Sequence, residues 1–227
     1  MKRSLVLALA AAIAFFALAP SQAAAAPAVD EEFRYHWELR NFVGRLIGVF
    51  LPNQGDGSLV FKSQPDGLLR SELTITSPQS DRGEYFRYGA DINADSLQAV
   101  RVWSAYLWNG ETKTKSDDIR AEGVLDIASG IYSIRHSPPK ATRRMEIWSD
   151  GKIYTVEVQP REVAPRSVGK RRLLARHYAI RGADVPGQNH WKGKLDLWLT
   201  LDGAATPVEI TISRNLADVR LVLRPSL

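Results

Sequence analysis

The residues with the most chemical potential in this sequence are its four histidines, His36, His136, His177 and His190, and their spacing builds no metal site. There is no His-x-His and no His-Glu-x-x-His. With Cys 0 in 227 residues, thiolate zinc sites, disulfides and thiol nucleophiles are excluded. Asp91-Ile-Asn-Ala-Asp95 opens like a calcium loop, because a hard cation wants several carboxylate and carbonyl oxygens on one short turn. The continuation fails: Ser96 stands where the sharp turn wants glycine, and Val102 where a bidentate carboxylate should close the site. A solvated turn between two strands is the expected reading. No Gly-x-Ser-x-Gly elbow occurs, and Ser129 precedes Gly130 inside a helical segment. Asp126, Ser129, Tyr132 and Arg135 recur every three residues, a ladder on one side of a helix that capping and docking explain. Nothing sets a nucleophile beside a base, so the sequence predicts no catalytic residue, no metal, no cofactor and no enzyme.

Two other patterns point to binding. Between Arg161 and Arg181 the one acidic residue, Glu162, faces Arg161, Arg166, Lys170, Arg171, Arg172, Arg176 and Arg181. Arg171, Arg172 and Arg176 are therefore candidates to bind an anion such as a lipid headgroup or an acidic glycan. On a strand Arg172 and Arg176 face one way and Arg171, His177 and Arg181 the other, and a solvated turn with a charge-protected edge strand is the competing reading. Tryptophans stand at 37, 103, 108, 148, 191 and 198. Trp103 and Trp108 fall on opposite faces of their strand, so one of them is exposed or lines a cavity. With Tyr132 and Trp198 they are candidate contacts for an apolar ligand, against the alternative of ordinary core and rim aromatics.

The elements that must position these side chains are mostly strands. Phe33, Tyr35, Trp37 and Leu39 alternate with Arg34, His36, Glu38 and Arg40, the period of a half-buried strand. The same pattern covers 58–63, 69–76, 84–90, 100–108, 144–148, 153–158, 173–180, 195–201, 208–212 and 219–223. Turn signals Asp56-Gly57, Asp66-Gly67, Asn109-Gly110, Asp150-Gly151 and Asp202-Gly203 separate most of them. Without helices between them the strands should pair antiparallel, and so many strands must curl to protect their edges. One segment departs: Ile127, Ile131 and Ile134 recur at helical spacing within 125–135, Asp126 is placed to cap, and Pro138-Pro139 stops the helix. The expected fold is all-β, a single-domain curved antiparallel sheet, barrel or half-barrel, with one short helix near 126–136 covering its open face.

Lys2 and Arg3, the apolar run from Leu5 to Leu18, and the small residues up to Ala26 read as a secretory signal. About 14 apolar residues fall short of the roughly 20 that span a bilayer, so cleavage is expected, giving a signal over 1–25 and one β-rich domain over 26–227. Its loss leaves 28 basic residues against 25 acidic, a net charge of +3 that argues against nucleic acid. Without cysteine there is no lipid anchor, and the mature chain is expected free in the periplasm with no transmembrane segment.

Three short motifs occur in order: Asp126-Ile-Ala-Ser-Gly-Ile-Tyr-Ser-Ile-Arg135, Ile147-Trp-Ser-Asp-Gly-Lys-Ile-Tyr154, and Leu195-Asp-Leu-Trp-Leu-Thr-Leu-Asp202 with Pro207-Val-Glu-Ile210. Together they resemble the bacterial exported family called domain of unknown function thirty-one-zero-eight, in which an Asp–Ser–Tyr–Arg helix precedes a hairpin with an Asp-Gly turn. The resemblance is strongest after Asp126 and implies an exported β-rich domain without an assigned biochemical role. The functional expectation is a non-catalytic periplasmic module that binds or carries an apolar envelope component, such as a lipid. The alternative is an interaction protein of envelope biogenesis, docking through strand edges and the basic segment.

Overall fold

A computed structural model describes residues 30–40, 54–77, 83–108, 110–214 and 217–225. The signal segment 1–25 and the side chain of Trp108 lie outside the described residues. The elements in chain order are β1 (Glu31–Leu39), β2 (Gln54–Ser63), β3 (Leu68–Thr76), β4 (Tyr85–Asn93), β5 (Ala99–Trp108), β6 (Glu111–Asp118), β7 (Val124–Leu125), α1 (Ile127–His136), β8 (Arg143–Ser149), β9 (Lys152–Val168), β10 (Arg171–Gly182), β11 (Lys194–Thr200), β12 (Pro207–Arg214) and β13 (Ala217–Leu223). They form one 13-stranded sheet in the order β6-β5-β4-β3-β2-β1-β13-β12-β11-β10-β9-β8-β7. Two meanders are thus joined where β1 pairs with β13, Tyr35 opposite Leu223 and Leu39 opposite Val219. Among the described residues the fold is all-β with one short helix and a single large curved sheet, as the alternation predicts.

The concave face carries the core. Tyr35, Leu59, Phe61, Leu73, Val102, Val158, Leu197 and Leu221 are buried there with Ile127, Ile131 and Ile134 of α1. The helix begins where Asp126 accepts from the amides of Ala128 (3.1 Å) and Ser129 (2.8 Å), while Ser129 Oγ accepts from the Asp126 amide at 2.9 Å. This reciprocal box satisfies donors that a helix start leaves unpaired.

Four expectations need correction. β6 and β7 are not signalled by alternation, because every residue of β6 is exposed and polar and β7 is two buried residues long. β7 and β8 pair parallel, Val124 opposite Glu146, and α1 is the crossover that a parallel pair requires. Asp56-Gly57 is not a turn but lies inside β2, opposite His36 and Tyr35. The basic segment is not an edge strand: β10 lies between β9 and β11, and the edges are β6 and β7.

The sheet curls until its ends meet through side chains rather than a backbone ladder. Trp148 Nε1 donates to Asp117 Oδ2 at 2.5 Å, Ser104 Oγ to Asp150 Oδ1 at 3.1 Å, and Lys115 Nζ to the Asp150 carbonyl at 2.8 Å. Among the described residues no helix is long and apolar enough to cross a membrane.

Candidate functional site

Little space remains under α1. Ile127, Ile131, Ile134, Met145, Ile147 and Trp191 help line an interior cavity of about 20 Å³, room for little more than a water. The concave face expected to hold an acyl chain is filled by the helix.

Usable space lies at the rim, beyond the C-terminal end of α1. Pro138, Pro139, Lys140, Arg176, Tyr178, Leu199, Leu201, Asp202 and Ala205 line an open groove of about 510 Å³, within the size range of small-molecule sites. Its position follows from the β9–β10 hairpin. One residue too many on β9 shifts the register between Arg176 and Tyr178, and the far half of the hairpin curls across the convex face. There Val168 and Ala175 bury against Trp198 of β11 and Val208 of β12. The opposite side of the hairpin continues the concave stripe past the rim, leaving Leu174 59% exposed and Val163 41% exposed, with Leu201 of the neighbouring turn 51% exposed. Leu201 donates its amide to the Leu174 carbonyl at 3.1 Å, which joins the two leucines across the strands. Arg172 and Arg176 alternate with Leu174 on this face, opposite Ser167 and Val163. Arg172, Arg176 and Lys140 have no ion-pair partner among the described residues.

The turn under this groove is held from inside. Arg135, its side chain 4% exposed, pairs both nitrogens with Glu31 at 2.8 and 3.1 Å and donates to the carbonyls of Ala205 (3.0 Å) and Ala204 (3.1 Å). Its guanidinium lies 4.7 Å from the Phe33 ring centre and 5.3 Å from that of Phe61. Thr200 Oγ1 accepts from the Thr206 amide at 2.8 Å and closes the same turn. The helix ladder read from the sequence therefore fixes the groove wall through Arg135.

Of the aromatic candidates, Trp103, Tyr132 and Trp198 are not brought together. Trp103 lies on the convex face of β5 over Gly89, where an added Cβ would sit 2.4 Å from its ring, with the Arg70 guanidinium 5.3 Å from its centre. Tyr132 packs on α1 between Phe61 (4.9 Å) and His136 (3.9 Å). Trp198 is buried on the convex face of β11, stacked by His177 at 4.7 Å and by the Arg166 guanidinium at 3.3 Å. Of the basic candidates Arg176 reaches the groove, Arg172 shares its face, and Arg171 lies at the exposed hairpin end opposite Val168. Lys140, Leu174 and Leu201 were missed, although the alternation Arg172, Leu174, Arg176 marks one strand face as both cationic and apolar.

Charged side chains cluster densely around Trp198. His177 Nε2 is 2.8 Å from Asp196 and its Nδ1 3.4 Å from Glu162, while Arg181 donates to Asp196 at 2.6 Å. Hydrogen bonds from His177 and Arg181 hold the Asp196 carboxyl below the usual carboxylate range, against the opposing effect of its burial. Arg220 joins Glu209 (2.7 Å) to Glu38 (3.1 Å). Arg166 of β9, 3.6 Å from the same Glu209, ties the curled hairpin to the sheet. Asp91 of the calcium-like segment pairs with Arg70 at 2.8 Å, and Asn93 Oδ1 accepts the amides of Asp95 and Ser96, a solvated turn.

No protein-family model matches the chain, and no curated protein matches its sequence. Among solved structures it is similar to the crystal structure of a beta-barrel-like protein of domain of unknown function DUF1849 from Brucella abortus, with 11% identity over 86% of this chain and 96% of that chain and a TM-score of 0.54. At that identity the likeness establishes the fold alone.

Proposed function

We propose that the protein is a non-catalytic periplasmic binding module that takes an anionic, single-chain amphiphile of the cell envelope at its rim groove. The observation that carries this reading is a groove of about 510 Å³ lined by exposed Leu201 and the unpaired cations Arg176 and Lys140, with exposed Leu174 joined to Leu201 at its edge and Arg172 on the same strand face. An acyl chain gains roughly 25 cal/mol per Å² of apolar surface it removes from water, and the cations supply the headgroup contact. An exported location, expected from the Lys2 to Ala26 signal pattern, suits this reading. The His177–Asp196 pair does not favour an enzyme, since its ring lies flat on Trp198 and both its nitrogens face carboxylates.

Calorimetric titration with lysophosphatidylglycerol and with zwitterionic lysophosphatidylcholine, both below their micellar thresholds, tests it. The anionic lipid should bind more tightly, weaken with salt, and lose at least about tenfold in affinity in the Lys140→Glu, Arg176→Glu double variant. Equal binding of the two lipids, or of wild type and variant, would overturn the reading.

A further inference from the structure

The other end of α1 opens on a groove of different chemistry. The loop 183–193 and the Asp150-Gly151 turn bound a space of about 400 Å³ lined by the rings of Tyr88, Tyr154 and Trp191 together with Asn189, Lys152 and Lys192. Trp191 is set by its surroundings: an added Cβ at Gly182 would sit 2.4 Å from its carbonyl oxygen, and one at Gly193 2.6 Å from its indole. The loop is pinned to β9, with Thr155 Oγ1 donating to Gln188 Oε1 at 2.7 Å and the Ala183 amide to the Thr155 carbonyl at 2.9 Å. Trp191 also lines the small interior cavity, so one side of the indole belongs to the core and the other to the groove.

The polar groups here are unevenly engaged. Asp150 is used at the sheet seam by Ser104 and Lys115, and His190 is 3.0 Å from Asp184. Lys152 and Lys192, the Tyr154 hydroxyl, the Asn189 amide and Trp191 Nε1 have no partner among the described residues. Flat apolar rings next to an amide, a phenol and two free ammonium groups match neither a fatty chain, which needs no such donors, nor a bare anion, which needs no rings.

We propose that this groove binds an acidic saccharide, with a sugar face against Tyr154 and Trp191, hydroxyls on Asn189 and the Tyr154 hydroxyl, and the sugar carboxylate on Lys152 and Lys192. This site is separate from the rim groove in residues and in ligand chemistry. Saturation-transfer NMR with trigalacturonate as the probe and neutral maltotriose as the control tests it on the whole protein. Trigalacturonate should receive saturation from the protein, and its binding should weaken at least about tenfold in Tyr154→Ala and in the Lys152→Glu, Lys192→Glu double variant. Arg176→Glu should leave it unchanged, which separates this site from the amphiphile groove. No transfer to trigalacturonate, equal binding of maltotriose, or unaltered binding in both groove variants would overturn the proposal.

Discussion

Asp126 illustrates how one side chain can set both a helix start and a pH dependence. Burial raises its pKa to about 6, outweighing the hydrogen bonds from Ser129 and Ala128 that favour its charged form. The folded protein thus holds this proton more tightly than the unfolded chain. The contribution is complete below the unfolded value near pH 4 and is lost as pH rises through about 6. Asp126→Asn keeps a capping acceptor and cannot titrate, so its stability relative to wild type should rise by up to about 3 kcal/mol between pH 4 and pH 7. Urea unfolding of both proteins across that range measures it, and a constant difference would show that Asp126 is not titrating. Arg135 carries a different burden. Arg135→Ala strands Glu31 and the carbonyls of Ala204 and Ala205, and should cost about 3 kcal/mol in the same assay. The sequence showed both residues as rungs of one helix ladder, and it showed the cap. That Arg135 reaches the turn under the groove was not legible, because its partners lie 69 and 70 positions away in the chain.

At the scale of elements, period-two alternation located strands wherever one face is buried and failed where that condition fails. β6 reads Glu-Thr-Lys-Thr-Lys-Ser-Asp-Asp, with no apolar face because it is an edge in contact with water. β9 runs past Pro160 and Pro165 to Val168, longer than its apolar pattern, because its far half serves the small convex core instead of the main one. Strand parity put Arg172 and Arg176 on one face, as their places opposite Ser167 and Val163 have them, but parity does not say which strands curl over which, so it could not show that Trp103, Tyr132 and Trp198 lie in different surroundings. Gly130 also gained a reason at this scale. Its cost of about 1 kcal/mol relative to alanine in a helix is accepted where α1 lies on β8, since an added Cβ would sit 3.1 Å from Ile147 Cδ1. Gly130→Leu should push the helix off the sheet and lower stability by about 1–3 kcal/mol, measurable as a reduced thermal midpoint.

For the whole molecule, a sheet whose ends are joined by side-chain contacts such as Trp148–Asp117, Ser104–Asp150 and Lys115–Asp150 should open along that seam first. Asp117→Ala should therefore speed amide exchange in β5 and β6 more than in β1 and β13, and uniform acceleration would place the weak point elsewhere. With the concave face filled by the helix, the proposed amphiphile site lies on the rim of the sheet. Amide chemical-shift mapping with lysophosphatidylglycerol tests this most directly. Perturbations should centre on Leu174, Arg176 and Leu201, with Val156, Val158 and Leu195 under the helix unmoved; shifts concentrated on those interior residues, or none at all, would rule out the rim site.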